Sequence, residues 1–210
     1  MRALRPLLRR SLLALIVAGG TVTGAHAGNQ QYEPLAASVQ AALHAAVADQ
    51  APLDPSFQRS PERARWLAEM SQRLARRIPD EAYRSELLRA VHYEATRAGL
   101  DPQLVLGLIQ VESGFKKYAL SSAGARGYMQ VMPFWARLIG NEETNLFHMR
   151  TNLRFGCTIL RHYLDIEKGD LFRALGRYNG SLGRAEYPNL VRAAWERNWS
   201  YPDSLRLAQN

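Results

Sequence analysis

Apolar residues recur three and four positions apart along most of the chain, and no long stretch alternates apolar and polar residues as a half-buried strand would. The pattern predicts a succession of helices, punctuated by prolines, glycines and capping residues. Leu35 to Ala48 reads as a weak helix, and Pro52 and Pro55 break the pattern after it. Ser60-Pro61 opens a stronger helix, with serine as cap and proline in the first turn; its stripe of Trp66, Leu67, Met70 and Leu74 continues to Ile78, and Pro79 stops it. Asp80 caps a helix carrying Leu87, Leu88, Val91 and Ala95 as far as Gly99, and Asp101-Pro102 opens the next. Gly114 ends that one, and an irregular segment follows over 114–127. Pro133 begins a short helix, about Asn152 to Glu167 forms a longer one, Leu171 to Tyr178 another, and Arg184 to about Asn198 the last. The fold class expected is all-α, with short connections and little or no sheet.

The helix opened by Asp101 contains the residue with most chemical interest. Projected at about 100° per residue, Val105, Leu108 and Ile109 fall within roughly 60° of Glu112, while Gln103, Gly107 and Gln110 fall opposite. Glu112 therefore lies in the middle of the stripe expected to be buried. Lost hydration disfavours the charged carboxylate, and the negative end of the helix dipole acts in the same direction. A carboxyl group still protonated near neutral pH is what general-acid catalysis requires. On position alone the alternative is a glutamate at a frayed helix end that turns into water.

The N-terminus has a different character. Arg2, Arg5, Arg9 and Arg10 precede the apolar run Ser11 to Ala18, and Ala25-His26-Ala27 forms a small-x-small end. The run is too short to span a bilayer. Residues 1–27 are expected to be an export signal cleaved after Ala27, which makes the chain periplasmic. The formal net charge of +8 then falls to about +4, a modest excess that suits work among acidic surface polymers and carries no nucleic-acid signature. Cys157 is the single cysteine, so no internal disulfide supports the fold, and none follows the signal for lipid attachment. Residues 28–59, rich in alanine, glutamine and proline, read as a spacer or loosely packed arm, a possible place for a partner from the envelope machinery. The remaining residues, 60–210, form the globular domain. His44, His92, His148 and His162 show no metal-ligand spacing, so neither a metal nor another cofactor is expected.

Three segments stand in order from the proposed acid onward: Glu112-Ser113-Gly114, the GARGYMQVMP block from Gly124 to Pro133, and Tyr178-Asn179-Gly180. Together they resemble the soluble lytic transglycosylases, whose catalytic domain has a goose-type lysozyme fold. The resemblance covers about residues 85–198. It implies that Glu112 is the catalytic acid and that Gly127, Gln130 and Met132 line a cleft beside it, with Ser113 and Tyr178 as further substrate-binding positions; Tyr128 and Asn179 are candidates from their own chemistry, Asn179 with holding the tight turn as its alternative role. Gln130 offers both a donor and an acceptor to an acetamido group or a sugar hydroxyl, and Tyr178 can aim its hydroxyl at Glu112 or at the glycan. Tyr128 replaces the leucine of the family pattern and offers a stacking ring; Arg177 replaces an alanine and offers a cation to a stem-peptide carboxylate.

Ordinary glycosidases flank the bond with two carboxylates. Here no acid lies between Glu112 and Glu142, and Glu142, Glu143, Asp165 and Glu186 read as solvated surface charges. The resemblance implies a single-acid reaction on peptidoglycan glycan strands, in which the substrate's own hydroxyl closes to a 1,6-anhydromuramoyl end. A hydrolytic muramidase and a non-catalytic wall-binding or envelope-assembly protein on the same fold are the alternatives. Trp135, Tyr187 and Trp195 could stack on sugars, with core packing as their simpler use.

Overall fold

The computed structural model describes residues 30–48, 57 and 59–201. The expected export signal and its cleavage point lie outside the described residues. The elements are α1 (Ala37–Ala48), α2 (Pro61–Leu74), α3 (Glu81–Arg97), α4 (Pro102–Ser113), α5 (Pro133–Ile139), α6 (Met149–Ile166), α7 (Leu171–Asn179) and α8 (Glu186–Ala194), which runs into a π-helical turn (Trp195–Trp199). Among the described residues the only β pairing is two isolated bridges, Leu120 with Arg126 and Arg126 with Val131. The fold is all-α. No described helix is long and apolar enough to cross a membrane.

The caps are those the residue types dictate. Ser60, Asp80 and Asp101 each accept a hydrogen bond from a backbone N–H of the first turn they precede. Asp170 does the same for α7. Gly114 and Gly180 end α4 and α7 in the left-handed conformation that glycine adopts without a Cβ penalty.

Helix α4 is the centre of the assembly. It packs on α3, α8 and the π-helical turn. The expected one-sided burial does not hold: Gln103 and Gly107 are buried as completely as Leu108 and Ile109. Gly107 makes this possible. A Cβ there would lie 2.9 Å from the backbone nitrogen of Trp195, so only glycine lets the C-terminal turn lie directly on the helix. On the same side the Trp199 indole N–H donates to Gln110 Oε1 over 2.9 Å.

Helix α3 is tied to α6 by charge. Glu94 is fully buried, and Arg154 grips it with Nη2 at 2.9 Å and Nε at 3.2 Å from Oε1. Arg97 adds a contact of 3.1 Å to Oε2. A dehydrated carboxylate is tolerable only with such partners, and removing one of them would leave it uncompensated. Residues 30–48, expected as a spacer or loosely packed arm, are helical over α1 and rest on α5 and α6. Leu43 and Val47 are buried. Gln40 Nε2 donates to Leu138 O over 2.7 Å, and His44 Nδ1 to Ile139 O over 3.0 Å, which satisfies carbonyls left open at the end of α5.

The connection from α4 to α5 is clamped onto α6 by one side chain. Asn152, 1 % exposed, accepts from Met129 N over 2.8 Å and donates to the carbonyls of Arg126 and Leu146, each at 2.8 Å. Gly127 turns the chain over this clamp at φ +75°, and a Cβ on it would lie 2.5 Å from Asn152 Nδ2 and 2.7 Å from Leu146 O. Gly127→Ala is expected to cost at least about 2 kcal/mol, combining left-handed strain with collision against fixed polar groups. Denaturant unfolding at constant m-value measures it; a loss under 0.5 kcal/mol would show that the clamp gives way easily.

Candidate active site

Glu112 occupies the last turn of α4, with Ser113 closing the helix and Gly114 and Phe115 turning the chain away at φ +57° and +68°. Its side chain is buried, with 5 % of the residue exposed. Burial pushes the carboxyl up to about 8, opposed by a hydrogen bond from Tyr187. The Tyr187 hydroxyl, on α8, donates to Glu112 Oε1. Oε2 is buried and meets no hydrogen-bonding partner among the described residues. One oxygen is thus held by a neutral donor while the other is left to carry the proton. A group in this state can give up a proton near neutral pH and then hold the resulting charge against a ready donor.

Tyr187 was not foreseen in this role. The sequence leaves it between sugar stacking and core packing, with packing as the simpler use, and it is buried at 2 % exposure. A buried tyrosine needs a partner for its hydroxyl, and that need was the one available signal, although sequence alone cannot say that the partner is Glu112. Trp135 is likewise buried, and Trp195 packs on the core. Glu142, Glu143, Asp165 and Glu186 are all exposed, which leaves Glu112 as the dehydrated acid of this region.

The other sequence-marked residues converge on the loop between α4 and α5. Ser113 donates its hydroxyl to Tyr128 O at 2.8 Å, with Ile109 O at 3.1 Å as a second acceptor, and so ties the acid's helix to the loop. Tyr178, fully buried on α7, donates to Met129 O over 2.8 Å. Its hydroxyl thus meets the loop backbone, while its proton affinity is raised by burial first and then by the nearby charge of Glu112. Gln130 sits at φ +47° and donates its Nε2 hydrogens to Ala119 O and Gly127 O, at 3.1 and 3.0 Å. Those donors are spent within the loop, and the side-chain carbonyl is what remains for a ligand. Tyr128 turns inward: it is 1 % exposed, and its hydroxyl shares a 2.7 Å hydrogen bond with Tyr83 on α3. No face of that ring is offered for stacking. Met132 is partly exposed at the start of α5, and Asn179 is buried in the last position of α7. Arg177 pairs with Glu167 and, at 3.1 Å, with Glu33. The site therefore brings the three sequence blocks together, mostly through backbone carbonyls gripped by side chains of the helices around them.

No metal-binding group of three or more histidine, cysteine or acidic residues occurs among the described residues. Cys157 is buried in α6, and burial keeps its thiol well above the usual range.

Comparison with known proteins follows these elements. The chain is 39% identical over 88 residues to a transglycosylase of Enterobacteria phage PRD1, covering 42% of this chain and 32% of the phage protein. It is 47% identical over 112 residues to a membrane-bound lytic murein transglycosylase C of Histophilus somni (strain 2336), covering 46% of this chain and 31% of the relative. The protein of that name from Actinobacillus pleuropneumoniae serotype 5b (strain L20) is 48% identical over 48 residues, 23% of this chain and 13% of the relative. The chain spans no more than about a third of the length of these relatives. No solved structure gives a significant match. The model of the transglycosylase SLT domain matches residues 89–195, from within α3 to the start of the π-helical turn, which takes in Glu112, the clamped loop, Tyr178 and Tyr187. The chain belongs to the transglycosylase SLT domain family.

Proposed function

We propose that this protein is a lytic transglycosylase of peptidoglycan, cleaving the β-1,4 bond between N-acetylmuramic acid and N-acetylglucosamine with Glu112 as its single acid and base. The observation that carries the reading is the dehydrated Glu112 carboxyl, bonded by Tyr187 on one oxygen and left open on the other. Glu112 protonates the glycosidic oxygen, and the C1–O bond breaks with that oxygen leaving as a hydroxyl. The muramoyl N-acetyl carbonyl stabilises the cation at C1. Ionised Glu112, held by the Tyr187 hydroxyl, takes the proton of the C6 hydroxyl as O6 bonds to C1. The acid is restored, a 1,6-anhydromuramoyl end forms and no water is consumed. Intramolecular closure has a large effective molarity, so a second carboxylate is not required. No cofactor takes part.

Gly127, Gln130 and Met132 form the cleft wall in this reading, with Ser113, Tyr178 and Asn179 supporting it. Tyr128 serves by fixing the loop from within rather than by touching sugar. The arginine-rich start and small-x-small end support export to the periplasm with cleavage after Ala27. Relatives whose names describe them as membrane-bound murein transglycosylases support an envelope location. Residues 28–59 lead into the domain, and their described part lies against it, so a partner from the envelope machinery would meet the outer face of α1.

Glu112→Gln is expected to lower turnover of purified peptidoglycan by about 10²–10⁴-fold, read as released muropeptides by mass spectrometry. The products of the unsubstituted protein should end in anhydromuramic acid; hydrated reducing ends would identify a muramidase, and undiminished turnover in the variant would remove Glu112 from the chemistry. The same substitution should stabilise the fold. The folded protein keeps a proton that the unfolded chain releases above about pH 4.5, so stability is lost as pH rises towards about 8. The variant's advantage in Tm should therefore be absent below pH 4.5 and largest above pH 8.

Activity should hold through neutral pH and fall about tenfold per unit above pH 8, as Glu112 loses its proton in the free enzyme. The kcat/KM profile tests this, and an alkaline limb near pH 5 would contradict the buried state of the acid. Tyr187→Phe removes a bond that holds the carboxyl down, so the limb should move to higher pH while kcat falls about 10- to 100-fold. A lower kcat with an unmoved limb would mean that Tyr187 serves packing alone.

A further inference from the structure

The short segment ahead of α1 lies on two of the three motif blocks. Gln30, 4 % exposed, accepts a 3.4 Å hydrogen bond from the Met132 backbone N–H through Oε1. Its side-chain amide also lies against the Tyr178 hydroxyl, yet Nε2 is buried without a well-formed bond. Tyr32 stands edge-on to Phe134, with ring centroids 5.8 Å apart. Glu33 meets Arg177 Nη1 at 3.1 Å. Arg177 is one of the two residues that depart from the family pattern, and its guanidinium is shared between Glu167 at the end of α6 and this segment.

Each contact is weak. The Gln30 hydrogen bond is long, and its buried NH₂ group forgoes the hydration it would have in water. The ion pair is half in solvent, with Glu33 53% and Arg177 21% exposed at the side chain, where such pairs contribute little. A segment seated this way is easily displaced. The unpartnered Oε2 of Glu112 is itself buried. Tyr178 links the two places, since it senses the charge of Glu112 and touches Gln30. The seated group is itself telling. A glutamine carboxamide has the carbonyl and N–H of an acetamido group, and here the carbonyl is held by a backbone N–H beside a tyrosine hydroxyl.

We infer that residues 30–33 are a built-in occupant of the glycan groove. The Gln30 carboxamide stands on the Met132 N–H and beside the Tyr178 hydroxyl where a sugar N-acetyl group binds, and the Glu33–Arg177 pair latches it there. Glycan binds by displacing this strap, so the apparent affinity of the resting protein is reduced by the fraction of time the strap is seated. The inference rests on the glycan-cleaving reading above and adds a self-competing segment to it.

The test is binding in the full chain carrying Glu112→Gln, which removes turnover. Calorimetric titration with an N-acetylglucosamine tetramer compares that protein with the same protein also carrying Gln30→Ala or Glu33→Gln. Both added substitutions are expected to lower Kd by about three- to tenfold, with Tm within about 2 °C of the parent. Either change empties the seat or loosens its latch, so the two should agree in direction. An unchanged or higher Kd in both would overturn the strap, making the segment a bystander or a wall of the groove. Absence of binding in all three proteins would instead overturn the glycan reading, and the strap with it.

Discussion

A carboxyl group kept out of water at the end of α4 is the constraint on which the rest of this structure depends. Helix α4 is covered over most of its length, and the covering explains features that otherwise look unrelated. Gly107 is needed so that the C-terminal turn can lie against the helix backbone. The Trp199 indole completes the cover by bonding Gln110. Helix α8 brings a hydroxyl to the acid without bringing a charge. A lysine or arginine in the same place would hold the carboxyl ionised and remove its use as a proton donor.

The loop between α4 and α5 follows a second rule: its shape is specified by side chains that grip its backbone. Ser113 from α4, Asn152 from α6 and Tyr178 from α7 each hold one or more of its peptide groups. Three helices thereby fix a segment that has almost no regular structure of its own. Binding surfaces made of main-chain groups need such support, because an unsupported loop would lose its geometry on each encounter with a ligand. Gln130 contributes by stabilising its own unusual backbone angle with two donors to nearby carbonyls.

Much of this was legible in the residue pattern. The caps at Ser60, Asp80 and Asp101 and the break at Gly114 follow from local chemistry, and with them the helix order. Boundaries moved where tertiary packing decided them: α6 begins at Met149 instead of Asn152, and the last helix divides into α8 and a π-helical turn. Side-chain direction was less accessible. Tyr128 looked available to sugar and instead faces α3, because a ring between two buried positions packs inward once Tyr83 offers a partner. Asn152 gave no hint of its role, since an asparagine in a helix signals nothing until the loop it holds is in view. Gln103 and Gly107 misled the amphipathic projection because that method assumes a helix has one wet face.

The separation along the chain between Glu112 and Tyr187 carries a consequence for biosynthesis. The two are 75 residues apart, and α8 is among the last parts of the domain to be made. Until that helix packs, the carboxyl lacks the Tyr187 hydroxyl that bonds it in the folded domain. A chain not yet folded to its C-terminal helix would thus have the motif residues but not the enclosed acid. The dehydrated acid would be acquired only with the completed fold.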